Sequence, residues 1–337
     1  MTTMKAAVLK AERNMQVVDV PCAEAADNSV LIRVRSVGIC GTDLHTYKLG
    51  LFREMSLPTA QGALFGHEFA GDVVAIGANA NVSGLRVGDR VTGVALGAYA
   101  EYCNVGPSFG DRPMVIPLPD GVSYDEAATV EPLVVSLTAV RRASPRPGER
   151  VLVIGAGMIG LGCVQVLRAL YPDCDVTVCD VSDKRLDMAS TFGAHRTING
   201  GRDDLVTAMK AQFGESPVIY NATTSGNLDV VFECAGVAAT LNQALELARP
   251  VSGRVVGVAL YEHRPEVDFN QVVAKNLHIR GTLGYTEADI LEALDLIASG
   301  KVDRKPLITH RYALADAVAA FEAQLNTRDT LKAVINP

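Results

Sequence analysis

The sequence predicts an α/β chain of two domains, a compact β-rich module followed by a doubly wound parallel sheet. Three observations carry this prediction. Up to about residue 120 the chain is made of short alternating apolar runs bounded by Gly, Asn and Asp. From residue 150 strand-like and helical stretches alternate. At that junction VLVIGAGMIG sets three glycines between an apolar run and a helical one. The length, 337 residues, suits two cores better than one.

The elements follow in order. NSVLIRVRSVGIC alternates Val30, Ile32, Val34 and Val37 with polar neighbours and breaks at glycines, as a half-buried strand does. EFAGDVVAIGAN and VGDRVTGVAL are further short strands. SYDEAATVEPLVVSLTAVRRA, 123–143, turns helical. RVLVIGAGMIGLGCVQVLRAL then reads as strand, glycine turn and helix, and DVTVCD as a second strand. SDKRLDMASTFGA is a helix stopped by Gly193. LDVVFECAG, GRVVGVAL and NLHIRGTLG are strands, with AATLNQALELARP a helix between the first two. The tail holds two helices, EADILEALDLIASG and ADAVAAFEAQLN, with the strand LITHRYAL between them and LKAVINP last. No internal repeat or low-complexity segment interrupts this.

Composition excludes several classes. Lys and Arg number 31 against 38 Asp and Glu, and a net charge of −7 argues against a sequence-independent grip on nucleic acid or anionic lipid. The basic run RRASPRPGER reads as a helix end and a solvated loop. No apolar stretch reaches the roughly 18 residues of a membrane span. MTTMKAAVLK lacks signal-peptide layout. The seven cysteines are odd in number and contain no CxxC pair, so reduced thiols in a cytoplasm are expected.

The glycine turn carries chemistry. Gly155 allows a tight turn, Gly157 removes a side chain where a pyrophosphate approaches backbone N–H groups, and Gly160 lets helix and strand pack closely. Met158 and Ile159 open the helix that offers those N–H groups. Asp180 ends the next strand, twenty residues after Gly160, where a carboxylate accepts from the adenosine ribose diol and repels a 2′-phosphate. NAD is therefore expected over NADP. Arg185 fits over the ribose or adenine, or a surface helix position.

A scattered polar set stands in the first module. GICGTDLH holds Cys40, GHEFAG holds His67 and Glu68, and ATVEPL holds Glu131 in an apolar setting that makes an unpartnered acid costly. Thiolate, imidazole and carboxylate are the ligands of a catalytic zinc with one position open. Taken singly, Cys40 reads as a buried thiol and His67 as a core histidine.

These pieces, with VGDRV, GAYAEYCNV, EPLVVSLTA, VFECAG and KPLITHRY in order from about residue 4 to 335, carry a resemblance. The chain resembles the zinc-dependent medium-chain dehydrogenases, the family of alcohol, sorbitol, butanediol and threonine dehydrogenases. The resemblance implies a GroES-like catalytic domain at 1–135 and 284–337 and a Rossmann domain for NAD at 136–283. It implies reversible oxidation of a secondary alcohol, a diol, polyol or hydroxy-amino acid, to a ketone by hydride transfer. Cys40 and His67 match the constant zinc ligands, Glu68 the acid that binds or leaves the metal, and Glu131 the third-ligand position. Asp43 matches an acid that orients the histidine. Thr42 matches the hydroxyl that takes the substrate proton, and His45 the end of that relay. Lys332 matches a basic position near the pyrophosphate. Tyr47 and Phe65 would line the substrate pocket, although Phe65 also fits an apolar core. The resemblance further implies a homodimer or homotetramer built through the dinucleotide domains.

The sequence departs from the family at one lobe. Most zinc members carry four cysteines there on a structural zinc, whereas here only VTGVAL separates Arg90 from Gly97. One catalytic zinc and no structural zinc are expected. Zincless, NADPH-dependent quinone and enone reductases also lack the lobe, but they lack the catalytic ligands that this chain keeps. A catalytically silent dinucleotide-binding member should have lost a ligand or the Thr42–His45 relay, and neither is lost. GTLGYTEAD lacks the arginine of sorbitol-type enzymes and reads closer to a butanediol enzyme.

Overall fold

A computed structural model describes residues 3–107, 113–218, 223–326 and 329–337. The chain forms two compact units, Met1–Pro132 with Thr286–Pro337, and Leu133–Tyr285.

The first unit is built on strands. β1 (Thr3–Ala11) and β2 (Asn14–Pro21) form an antiparallel hairpin, and β3 (Val30–Gly38) follows. Helix α1 (Gly41–Leu49) comes next, then the short β4 (Leu57–Thr59) and β5 (Gly62–Leu64) and the long β6 (Glu68–Ile76). β7 (Arg90–Val94), β8 (Tyr102–Val105) and β9 (Val115–Pro117) precede helices α2 (Tyr124–Ala127) and α3 (Val130–Ala143). One sheet has the order β2-β1-β5-β4. β3 is the hub of another, flanked by β6 on one side and by β8 on the other.

Nothing in the sequence reading placed a helix over 41–49, because GTDLHTYKL has no apolar stripe. Its ends explain it. Cys40 is the N-cap in extended geometry, and Asp43 in the first turn accepts from the Cys40 backbone N–H at 3.1 Å. Gly50 closes the helix at φ 66°, in the left-handed region that glycine adopts without strain.

The second unit is a parallel sheet. β10 (Arg150–Ile154), α4 (Met158–Leu170), β11 (Asp175–Asp180), α5 (Asp183–Thr191) and β12 (Arg196–Asn199) make its first half. After α6 (Leu205–Phe213) and a hairpin of β13 (Glu215–Pro217) and β14 (Thr224–Gly226), the second half follows. It consists of β15 (Val230–Glu233), α7 (Ala238–Leu247), β16 (Arg254–Gly257), α8 (Asn270–Lys275) and β17 (His278–Gly281). The order β12-β11-β10-β15-β16-β17 is all parallel. Central strands such as RVLVI are buried along nearly their whole length, as helices on both faces require. The sequence reading passed over β12, α6, α8 and the hairpin. These are short, and α6 rests on the Asp204 side chain accepting from Thr207 N at 2.7 Å and on packing by its neighbours.

The chain then returns to the first unit with α9 (Glu287–Ala298), β18 (Ile308–Ala313), α10 (Ala317–Leu325) and β19 (Lys332–Asn336). β19 pairs the end of β3 and extends that sheet to the order β18-β19-β3-β6-β7-β9. The ring of Phe321 from α10 packs 5.7 Å from Phe65 and 5.2 Å from both Tyr47 and Tyr99. Tyr47 and Phe65, expected to line a substrate pocket, are both buried in the core of the first unit, and the Tyr47 hydroxyl donates to Glu322 at 2.6 Å.

Candidate active site

Three ends of the first unit converge. Cys40 caps α1, and His67 and Glu68 stand at the start of β6, which pairs Glu68 with Gly38 at the end of β3. Their ligand atoms, a sulfur, a ring nitrogen and a carboxylate oxygen, all lie within 4.8 Å of one another. The cluster suits a zinc ion in its donor chemistry and its spread. Glu131 lies in the first turn of α3 and is not part of this cluster.

Asp43 organises the site. Its Oδ2 accepts from the Cys40 backbone at 3.1 Å and from the Tyr99 hydroxyl at 2.6 Å, and its Oδ1 lies 3.5 Å from His67 Nδ1. A carboxylate on Nδ1 fixes the ring and leaves Nε2 for a metal. Burial opposes an imidazolium at His67, but Asp43 and Cys40 outweigh it and hold the pKa well above the usual histidine range. The same anionic surroundings attract a divalent cation. Tyr99 was not singled out in the sequence. Burial and Asp43 push its phenol well above the usual range, so it remains a donor.

Glu68 is 1% exposed and pairs with the ammonium of Lys332, which also donates to the Ile39 carbonyl at 2.7 Å. Lys332, expected beside a pyrophosphate, is itself only 1% exposed and is committed to these two oxygens. The close packing demands Gly38, since a Cβ there would fall 2.2 Å from Glu68 Oε2. Arg304, a second buried cation that the sequence reading missed, donates to Thr129 Oγ1 at 3.2 Å. Burial pushes its pKa down to about 9, with Glu68 working in the opposite direction. No local spacing links Glu68 to a lysine 264 positions away.

Thr42 and His45 are three residues apart on α1 and therefore share a face. Among the described residues the buried Thr42 Oγ1 has no hydrogen-bond partner, which is costly unless a ligand supplies one. His45 is half-buried with its ring edge-on to Phe52, centroids 6.0 Å apart.

The second unit holds the glycine turn. Gly155 has φ 95°, and a Cβ on Gly160 would meet the Gly155 carbonyl oxygen at 1.8 Å. At Gly157, the N-cap of α4, the nearest atom to a Cβ would be Arg185 Nη1 at 3.8 Å. That helix end has no side-chain cap, so the N–H groups around Met158 and Ile159 suit an incoming phosphate. Asp180 ends β11 and accepts from Ala156 N at 2.7 Å and Ser182 N at 2.9 Å. Arg185 is held down in pKa by burial, partly offset by Asp180.

Comparison with known proteins places the chain in a family. Residues 26–131 match the alcohol dehydrogenase GroES-like domain, and residues 159–299 match the zinc-binding dehydrogenase model. The D-xylulose reductase of Saccharomyces cerevisiae is 31% identical over 96% of this chain and 94% of its own length. The crystal structure of 2R,3R-butanediol dehydrogenase from Bacillus subtilis is similar with a TM-score of 0.83 at 27% identity, covering 99% of each chain. A zinc-binding dehydrogenase of Sinorhizobium meliloti 1021, bound to NADP, has a TM-score of 0.81 at 26% identity and full coverage of both chains. The converging ligand cluster, the glycine turn and these similarities lead to one conclusion: the chain belongs to the zinc-type medium-chain alcohol and polyol dehydrogenases, oxidoreductases that act on CH–OH groups.

Proposed function

We propose that this chain is a zinc- and NAD-dependent dehydrogenase that reversibly oxidises a secondary alcohol, a diol, polyol or hydroxy-amino acid, to a ketone. The observation that carries the reading is the Cys40, His67 and Glu68 cluster, with ligand atoms within 4.8 Å and Asp43 behind the histidine. The first unit is the catalytic domain and the second binds the dinucleotide.

One zinc per chain, held by Cys40, His67 and Glu68 with Glu131 as the alternative carboxylate, supplies Lewis acidity that lowers the pKa of a substrate hydroxyl. NAD supplies the hydride acceptor. The protein's own residues do the rest. Asp43 holds His67 in one orientation and so fixes the metal's position. Thr42 Oγ1, buried without a partner among the described residues, orients the substrate hydroxyl and takes up its proton. His45, on the same face of α1 and half-exposed, returns that proton to solvent. Lys332 and Arg304 balance the charge of the buried Glu68 carboxylate. Gly155, Gly157 and Gly160 open the turn to the pyrophosphate, and Arg185 lies over its adenosine side.

Asp180 selects NAD. Its carboxylate closes the end of β11 and repels a 2′-phosphate, although the Sinorhizobium meliloti relative holds NADP. Seven free cysteines support a reducing, cytoplasmic setting, and no described helix is long and apolar enough to cross a membrane. A homodimer or homotetramer is supported by β17, an edge strand whose four residues are all exposed, and by Leu283 beyond it at 81% exposure.

Metal analysis tests the reading directly. About one zinc per chain is expected, lost together with activity in Cys40→Ala. Full activity without zinc sinks it. A panel of diols, polyols and hydroxy-amino acids followed by NADH formation identifies the substrate class, and a higher kcat/KM with NADP than with NAD overturns the role given to Asp180.

A further inference from the structure

We propose that the C-terminal end of α7 is a built site for a monovalent cation, and that this chain fills it with its own ammonium group, that of Lys275. Emptied of that lysine, the site takes ammonium or potassium from solution.

The site comes from a helix end that the fold buries. The last carbonyls of a helix have no partner within it. In α7 Leu245 and Leu247, and Ala248 at its C-cap, are fully buried, so bulk water does not reach them. The Leu247 carbonyl accepts from Leu228 N at 3.1 Å. The carbonyls of Leu245, Glu246 and Ala248 converge instead on Lys275 Nζ, the last two at 3.1 Å each. Ser225, from β14, adds its hydroxyl oxygen at 3.0 Å from the same nitrogen.

Three segments hold this arrangement. The hairpin is pressed against the helix end: a Cβ on Gly226 would fall 2.7 Å from the Leu247 carbonyl oxygen, and Ser225 Oγ donates to the Ala248 carbonyl at 2.8 Å. Lys275 enters from α8 as its last residue and is 1% exposed. Its own carbonyl accepts from Val251 N at 2.6 Å, and Asn276 then turns the chain at φ 50°. The oxygens are therefore placed by the backbone of α7 and by β14, not by the lysine.

The donor set selects the ion. Three carbonyls and a hydroxyl are neutral oxygens, which replace the hydration shell of a singly charged ion as carbonyl rings do for potassium. The helix C-terminus adds negative potential. Calcium and magnesium call for carboxylates and for oxygens at about 2.0–2.6 Å. The Glu246 carboxylate is engaged by Lys210 Nζ at 2.8 Å, and Glu246 gives this site its backbone oxygen. Burial pulls the Lys275 pKa down to about 8, with Glu246 opposing and Lys210 assisting, so the ammonium form prevails at neutral pH.

The test uses Lys275→Ala in the full chain, with ammonium, potassium and choline chlorides at equal ionic strength. In choline the thermal midpoint of the variant falls by more than about 5 °C. Ammonium and potassium restore at least about half of that loss, and the recovery saturates, as binding to a site does. Choline, too large for the oxygens to close on, restores none. The unaltered protein, whose site is full, responds equally to the three salts. Adding Ser225→Ala to the variant removes one oxygen and raises the ammonium concentration needed about fivefold. If Lys275→Ala does not fold in choline, its refolding yield in ammonium against choline gives the same reading. A loss that no cation restores, or that choline restores as well as ammonium, reduces Lys275 to a helix cap and overturns the proposal. So does a variant that folds in none of the three salts.

Discussion

The Tyr99 hydroxyl donates to Asp43 Oδ2 at 2.6 Å, and the other oxygen of that carboxylate lies 3.5 Å from His67 Nδ1. A buried phenol thus stands behind the imidazole proposed to hold the metal. Tyr99 also bonds the Gly38 carbonyl at 3.0 Å, so one hydroxyl registers both the acid and the end of β3.

Removing that hydroxyl should reach the metal. Tyr99→Phe keeps the ring among Phe65 and Phe321 but frees Asp43 to turn. Zinc affinity should fall about tenfold, read by competition with a chromogenic chelator, with little change in the thermal midpoint of metal-free protein. Unchanged affinity would reduce Tyr99 to a core residue.

The Glu68–Lys332 pair is buried on both sides. Lys332→Met leaves a carboxylate without its nearest counter-charge, and about 3–5 kcal/mol of stability should be lost from the metal-free protein. The double variant with Glu68→Gln should recover much of that loss, because the uncompensated charge is gone. Urea unfolding of both single variants and the double one measures the coupling. Additive losses would contradict it.

Two glycines of the same turn should behave differently. Gly160→Ala drives a Cβ onto a backbone oxygen at 1.8 Å, which rigid backbone cannot relieve, so the second unit should lose more than about 2 kcal/mol. Gly157→Ala meets only the end of the Arg185 side chain at 3.8 Å, so stability should change by less than about 1 kcal/mol. Its dinucleotide affinity should nonetheless drop, since a methyl group blocks approach to the N–H groups of α4. Thermal midpoints and NADH titrations of the two variants separate the effects.

Asp125 ties α2 to the returning strands through Arg311 Nε at 2.6 Å and Asn336 Nδ2 at 3.0 Å. Burial works to raise its pKa, but these donors win and hold it below the ordinary carboxylate value. A depressed folded-state pKa gives stability that is present above the unfolded pKa, about 3.9, and is lost as pH falls through the lower folded value. Asp125→Asn should therefore cost about 1–2 kcal/mol at pH 7, the exposed Arg311 keeping the figure modest. The difference from the unaltered protein should vanish in strong acid. A difference independent of pH in urea melts would assign the loss to packing.

Much of the fold was legible because its signals are local. The glycine turn, the apolar strand before it and Asp180 at the end of β11 lie within thirty-one residues and carry their own geometry. Helix α1 was not legible, because Cys40, Asp43 and Gly50 at its ends define it without an amphipathic pattern. Tyr47 and Phe65 were not legible for a related reason. An aromatic side chain near a candidate ligand has the same letter whether it faces a pocket or the core, and only the fold shows that both rings pack against Phe321 on α10.

By itself, the sequence determined the two-part architecture, the dinucleotide turn and the residue types able to hold a metal, since periodicity and turn chemistry act over a few residues. Only the tertiary structure decided which of those residues meet. Glu68 rather than Glu131 joins Cys40 and His67, Lys332 turns to Glu68, Tyr99 backs Asp43, and Glu233 gathers Thr240 and Tyr261. Each of these contacts depends on strand register and sheet order across long separations. Those are set by burial of the whole core, and no short stretch of sequence contains that free-energy balance.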